Sequence, residues 1–469
     1  MNFRCSRLFT AVMMSAALVM LTILNGHAQR LFDNNPKVSD DKHWDNSFGA
    51  ANSPNGPVYA IFVKDSSIYI GGSFTMAGSI NANSIARWDG HQWYALGEGV
   101  GGGSGPLAPT VYAITVDNNN HVFAGGNFIS AGSMLASNIA MWDGSSWTSL
   151  DSGMNAEVKA LAVGSAGEIY AGGLFTASGT MPLMHIAQWN GTDWTDVGGG
   201  ISGSTVNSIA IKGTTVAAAG NFDYAGATTA QNIALWDGSV WSAAGSGTDS
   251  TINSITFKGN DLYSGGYFLH SGGVATNYFS KYLTGTWSAI GAGLDYPPAC
   301  IGYNQTDVFA LSSITGAGAY NITKYDCCWD PLGSGLDTVA YALCVNGNDV
   351  WAGGPFVQAG GKPSIHFAHW NVTKDFSAGI QEHASAKREI YLFPNPAKET
   401  LNINAGNLQQ GRYRLEIFSS IGCIVHTAEV EKRSAFFTFE VDVRGLQSGV
   451  YTIRLSSEQY TAINRFIVE

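Results

Sequence analysis

Val58-Tyr59-Ala60-Ile61, then Gly71-Gly72-Ser73-Phe74, then Trp88-Asp89-Gly90-His91-Gln92-Trp93: this succession is written into the chain several times over. Its first part returns as Val111-Tyr112-Ala113-Ile114 and, more loosely, from Val158, Val206, Ile252 and Val339. The glycine pair with its aromatic returns as Gly125-Gly126…Phe128, Gly172-Gly173…Phe175, Gly265-Gly266…Phe268 and Gly353-Gly354…Phe356, and Ala219-Gly220…Phe222 fills the missing copy. Trp142-Asp143-Gly144, Trp189-Asn190-Gly191 and Trp236-Asp237-Gly238 repeat the turn, with Tyr282, Tyr325 and Trp370 in equivalent places. The closing series Trp93, Trp147, Trp194, Trp241, Trp287 and Trp329 has spacings of 54, 47, 47, 46 and 42 residues. A period near 45 with short β segments is the spacing of propeller blades, which run to roughly 40–50 residues.

Each part has a physical task. Val-Tyr-Ala-Ile is a short apolar run suited to an inner strand covered on both faces. Paired glycines inside a second strand let a neighbouring blade come close. Asp-Gly supplies positive φ to a tight turn, and the two Trp rings flanking it face each other. Twelve of the 13 tryptophans occupy repeat positions, and Trp351 alone does not, so these rings are read as core.

The ends of the array set the count. The last copy stops after Trp370-Asn371, and Lys42-His43-Trp44-Asp45-Asn46-Ser47-Phe48-Gly49 resembles its missing fourth strand. A chain that begins with the last strand of its final blade closes the ring and removes exposed sheet edges. The expected fold is all-β: a seven-bladed β-propeller of four-stranded blades over residues 29–376, closed by the N-terminal strand, with an immunoglobulin-like β-sandwich behind it. The weak sixth copy, with Ala310-Leu311-Ser312 in place of the glycine pair, makes six the alternative count. The glycine pair followed by spaced aromatics resembles the kelch repeat, without matching it strictly, and implies a fold rather than an activity.

Residues 1–28 have the layout of a cleavable signal peptide: Arg4 and Arg7, an apolar run from Leu8 to Leu24, and Gly26-His27-Ala28 before Gln29. No second apolar run is long enough to cross a bilayer, so no integral membrane segment is expected after cleavage. The formal charge of −11 becomes −13 once Arg4 and Arg7 are removed, and the excess lies ahead of Arg388. An acidic body repels phosphate backbones, so nucleic acid is not an expected partner. Cys300, Cys327, Cys328, Cys344 and Cys423 remain after cleavage; the first four are candidates for one or two local disulfides in an oxidising compartment. Neither their spacing nor that of the histidines makes a metal site, and no metal or cofactor is expected.

Composition changes near Phe376; 377–387 reads as a linker, and 388–469 carries alternating strands over some 80 residues. Within it, Tyr391-Leu392-Phe393-Pro394-Asn395-Pro396, Gly411-Arg412-Tyr413, Ile421-Gly422 and Leu446-Gln447-Ser448-Gly449-Val450-Tyr451 closely resemble the type A C-terminal sorting domain of the type IX secretion system of Bacteroidetes. Pro394, Asn395, Pro396, Gly411, Tyr413, Gly449 and Tyr451 are the motif residues carried over, and Arg465 stands where the family commonly has Lys. The resemblance implies the type IX secretion machinery as partner, export across both membranes, and a secreted or outer-membrane-surface protein.

Catalysis needs acids, bases or nucleophiles that converge. Asp89, Asp143 and Asp237 sit in repeated turns, and geometry accounts for them. The expected function is a binding module for an extracellular polysaccharide or surface protein, recognised by loops such as 75–84, 129–138, 223–232 and 269–278. The alternative is a secreted carbohydrate-active hydrolase or lyase with its site on that loop face.

Overall fold

The computed structural model describes residues 38–103, 108–312, 321–374, 391–404, 411–419, 424–432, 438–457 and 460–469. The expected leader 1–28, the expected linker 377–387 and Cys423 lie outside them. The chain divides into two compact units, Met1–Gly379 and Ile380–Glu469. Among the described residues no helix is long and apolar enough to cross a membrane.

In the first unit every large sheet is an antiparallel meander. The first runs Val58–Lys64, Ser67–Gly72, Ile85–Trp88, Trp93–Ala95. The same four-strand path recurs in sheets beginning at Thr110, Val158, Ile201, Ile252 and Ile301. The last large sheet has three strands, Ala342–Asn346, Asp349–Gly353 and Phe367–Asn371. Onto its open side comes the N-terminal segment, as a 3-10 turn over Val38–His43 followed by a single antiparallel bridge, Trp44 to Trp370. It is therefore pinned by a side chain more than by a ladder. Trp44 is fully buried and its Nε1 donates to Leu332 O at 3.0 Å.

That indole bond is a repeat. Trp93, Trp147, Trp194, Trp241 and Trp287 donate likewise to Asn52, Leu96, Leu150, Val197 and Ala244 carbonyls, each in the connection leading out of the preceding sheet or into its own. A buried indole N–H left unpaired is costly, so the bond fixes the ring where the sheets meet. Trp329 of the sixth copy lacks it: its Nε1 is buried without a partner. The expected pairs face each other as cross-strand neighbours, Trp88 on Trp93 at 5.1 Å and Trp189 on Trp194 at 5.3 Å.

The glycine pairs divide their labour more finely than the sequence suggests. A Cβ on Gly71 would stand 2.5 Å from Val111 Cγ1 in the next sheet, and one on Gly125 or Gly172 would meet Val158 or Val206 in the same way. A Cβ on Gly72 would instead stand 2.1 Å from Pro57 O in its own sheet. The first glycine admits a side chain of the neighbour; the second admits the backbone of its own first strand. Gly353 meets Val58 at 2.6 Å, so the last sheet packs on the first by the contact that joins the others.

The stretches between second and third strands, read as loops, contain short hairpins, Met76–Ala77 with Ile80–Asn81 and Met134–Leu135 with Ser130–Ala131 among them. Asn55 and Asn155 tie two of them down, each Oδ1 accepting two backbone N–H groups.

In the second unit a three-stranded sheet (Tyr391–Phe393, Thr400–Asn404, Thr438–Asp442) and a four-stranded sheet (Ile424–Lys432, Gly411–Phe418, Gly449–Ser457, Tyr460–Val468) share one core. Leu401, Ile403 and Val441 from one meet Leu415, Ile417, Ile453 and Leu455 from the other. Alternation along each strand builds that core. The strand Tyr391–Phe393, which the sequence presents only as a motif, pairs with Thr400–Asn404.

Candidate functional site

The first strands of consecutive sheets lie side by side, and each carries an irregularity at one place. Val58 pairs with Gly72 and Ala60 with Gly71, which leaves Tyr59 as an extra residue; Tyr112, Lys159, Asn207 and Asn253 occupy the same position in the next four sheets. A β-bulge takes one residue out of the ladder and re-aims its side chain. The second glycine of each pair makes the bulge sterically possible, since its missing Cβ is where the carbonyl before the bulge sits. Tyr341 lies just ahead of the last sheet's first strand, which carries no bulge.

Two of the bulged residues meet across sheets, and Tyr341 joins them. Tyr59 stacks on Tyr341 at 5.1 Å and 15°, and meets Tyr112 edge-on at 5.6 Å and 74°. Three phenols from three sheets thus form one cluster on the inner rim, at the end where the short hairpins stand. Tyr59 and Tyr112 are part-buried, while Tyr341 is 41% exposed. Burial pushes the Tyr59 and Tyr112 hydroxyls above the usual phenol range; Tyr341 adds to this for Tyr59 and the Glu157 carboxylate for Tyr112. The polar side of the rim is made by Lys159, Asn207 and Asn253. Each Asn donates Nδ2 forward along the chain, Asn207 to Ile252 O of the next sheet at 3.0 Å and Asn253 to Pro298 O, just ahead of the sixth sheet, at 2.9 Å. Reading Val-Tyr-Ala-Ile as a continuous buried strand hides this cluster. The signal for it is the second letter of the repeat, which changes from Tyr to Lys to Asn while the residue before it stays Val or Ile.

The turn carboxylates lie elsewhere. Asp89 Oδ1 accepts the N–H groups of His91 and Gln92, and Asp143 Oδ1 those of Ser145 and Ser146, which holds both carboxyls below their ordinary range. A cleft between the first and last sheets contains His369, stacked on Trp351 at 3.8 Å, with Asp349 Oδ1 2.6 Å from Nε2 and Asp45 Oδ2 3.3 Å from Nδ1.

Cys300, Cys327, Cys328 and Cys344 are free thiols in the structure. Burial pushes Cys300 up and Cys344 up to about 12. Cys327 and Cys328 occupy an exposed turn of the sixth copy with their sulfurs 3.6 Å apart, and the adjoining Asp326 carboxylate raises Cys327 to about 11.

The motif residues of the second unit clasp its last strand. Asn395 Oδ1 accepts Ile467 N–H at 2.9 Å, and its Nδ2 donates to Arg465 O at 3.3 Å. Ala397 N–H, just past Pro396, bonds Ile467 O at 2.8 Å. Tyr413 and Tyr451 are buried, and the Tyr451 hydroxyl donates to Gln447 O at 2.7 Å. Gly449 opens the strand that carries Tyr451, and Gly411 the one that carries Tyr413.

Two families match parts of the chain. The Rax2 C-terminal beta propeller domain matches residues 104–262, and the Secretion system C-terminal sorting domain matches residues 391–469. Comparison with curated proteins returns no significant match. Among solved structures, the WD40 beta propeller domain of Doa1 aligns with a TM-score of 0.46 at 12% identity, over 70% of this chain and 95% of that one. With a propeller ahead of it and its motif residues closing its own last strand, the segment 391–469 is a type IX secretion system C-terminal sorting domain, and the protein is one exported to the cell surface or beyond.

Proposed function

We propose that the protein is an extracellular binding module: a seven-bladed propeller that holds a polysaccharide or a surface protein at its inner rim, delivered by the sorting domain. On this reading the leader 1–28 is cleaved and the propeller occupies 29–376. A linker, 377–387, leads to an immunoglobulin-like sandwich, 388–469, and the source is a member of the Bacteroidetes. The repeat is kelch-like in its glycine pair and aromatics. The seven large sheets, with Gly353 on Val58 and Trp44 on Trp370, support a closed ring. The observation that carries the binding function is the cluster of Tyr341, Tyr59 and Tyr112. Two tyrosines set out of the ladder by a repeated bulge, with a third from the approach to the last sheet, leave part of their rings exposed, and part-exposed tyrosine is a preferred contact residue at recognition sites. Screening the exported protein on glycan and surface-protein arrays tests it. Binding to a member of either class is expected; silence on both overturns the proposal.

A further inference from the structure

We infer that the ligand of the inner rim is a neutral saccharide, held with a pyranose ring against the tyrosine cluster. This rests on the binding function just proposed and narrows it to one chemistry.

The aromatic side comes first. Tyr59 is fixed between Tyr341 and Tyr112, so Tyr341 is held against a ring that is itself held. An aromatic face is electron-rich, and the axial C–H bonds of a pyranose present electron-poor hydrogens to it. A ring already immobilised loses little conformational entropy on binding. Among the described residues no protein group hydrogen-bonds the Tyr59 or Tyr341 hydroxyl, which leaves both to donate and accept at a sugar hydroxyl. On the sheet next to that of Tyr112 the rim offers Lys159, three more donors on a flexible stem. A mixed wall of aromatic faces and a few polar groups suits a molecule that is apolar on its ring faces and polar around its edge.

Charge selects against an acidic polymer. The chain carries −11, and Glu157 stands close enough to Tyr112 to raise its pKa. A uronate or sulfated chain arriving at this rim meets a carboxylate beside its stacking surface and one ammonium to offset it.

The test uses the full exported chain with laminarin, a mannan and amylose as neutral probes, polygalacturonate as an acidic one, and affinity electrophoresis as the readout. At least one neutral polymer is expected to retard the protein. Tyr341→Ala and Tyr112→Ala are expected to weaken that retardation by tenfold or more, and Tyr341→Phe by only a few fold. Tyr303→Ala, an exposed tyrosine at the far end of the sixth sheet's first strand, should leave it unchanged. A second measurement does not depend on any variant folding: the bound polymer should protect Tyr341 from nitration, read by peptide mass spectrometry. Neutral-polymer binding untouched by both alanine variants, with Tyr341 nitrated as before, overturns the rim as the site and leaves the binding function standing. Retardation by polygalacturonate alone overturns the neutral-sugar assignment. Failure on every glycan with capture of a surface protein overturns the saccharide while the broader function survives, and failure on glycans and proteins alike removes both.

Discussion

Gly72 and Gly90 are both glycines of the first sheet, yet the structure asks different things of them. At Gly72 a Cβ would meet a backbone carbonyl at 2.1 Å, whereas at Gly90 nothing lies within 4 Å and only the φ of +99° matters. Gly72→Ala is therefore expected to cost about 2–3 kcal/mol by overpacking. Gly90→Ala should cost about 1 kcal/mol, the penalty of a left-handed conformation. Urea unfolding of the two variants checks the order. Asp349 makes a prediction about pH. Its hydrogen bond from His369 holds the carboxyl at about 2, against 3.8 ordinarily, with Asn371 assisting. Because the folded value is the lower one, the stabilisation is full above the ordinary value and fades as pH falls towards 2. Discounted for a side chain 34% exposed, it amounts to about 1 kcal/mol. Thermal melts should show Asp349→Asn less stable than wild type at pH 5, with the gap closing towards pH 2.5.

At the scale of elements, the segment 38–48 acts as the missing strand of the last sheet through one bridge and one ring. Trp44→Ala removes a fully buried indole and its bond to Leu332 O, and about 3–5 kcal/mol is expected, measured by chemical denaturation. Deleting 38–48 bares the strand Phe367–Asn371, whose free edge is a template for pairing with another chain. The deleted protein should self-associate in size-exclusion chromatography with light scattering, where the intact one elutes at a smaller mass. In the second unit Asn395 spans from the motif to the last strand with both ends of its amide. Asn395→Ala should destabilise that unit by about 1–2 kcal/mol, seen as faster proteolysis of the segment 391–469 with the propeller unchanged.

For the molecule as a whole, export and the proposed binding belong to different units. Removing 391–469 should leave a folded propeller inside the cell envelope, detected by fractionation and immunoblotting, because the first unit has its own core and ring contacts. Equal amounts of the truncated and full proteins in the medium would contradict the assignment of that segment as the export signal.

Repeat, composition break and sorting motif are all local patterns, and for that reason the sequence alone determined the all-β propeller, the position of the tail and its role in export. Trp88 facing Trp93 across the turn, and Trp44 meeting Trp370, follow from spacing alone. The tyrosine cluster follows from something spacing does not contain. A bulge shifts one residue out of register without altering the apolar pattern around it, so Tyr59 looked like core until its neighbours in space were known. That Tyr341, Tyr59 and Tyr112 converge depends on the last sheet lying beside the first, a contact between residues nearly 300 positions apart. Only the closed packing of the sheets decided it, because strand register and side-by-side packing are settled by tertiary contacts and not by propensity.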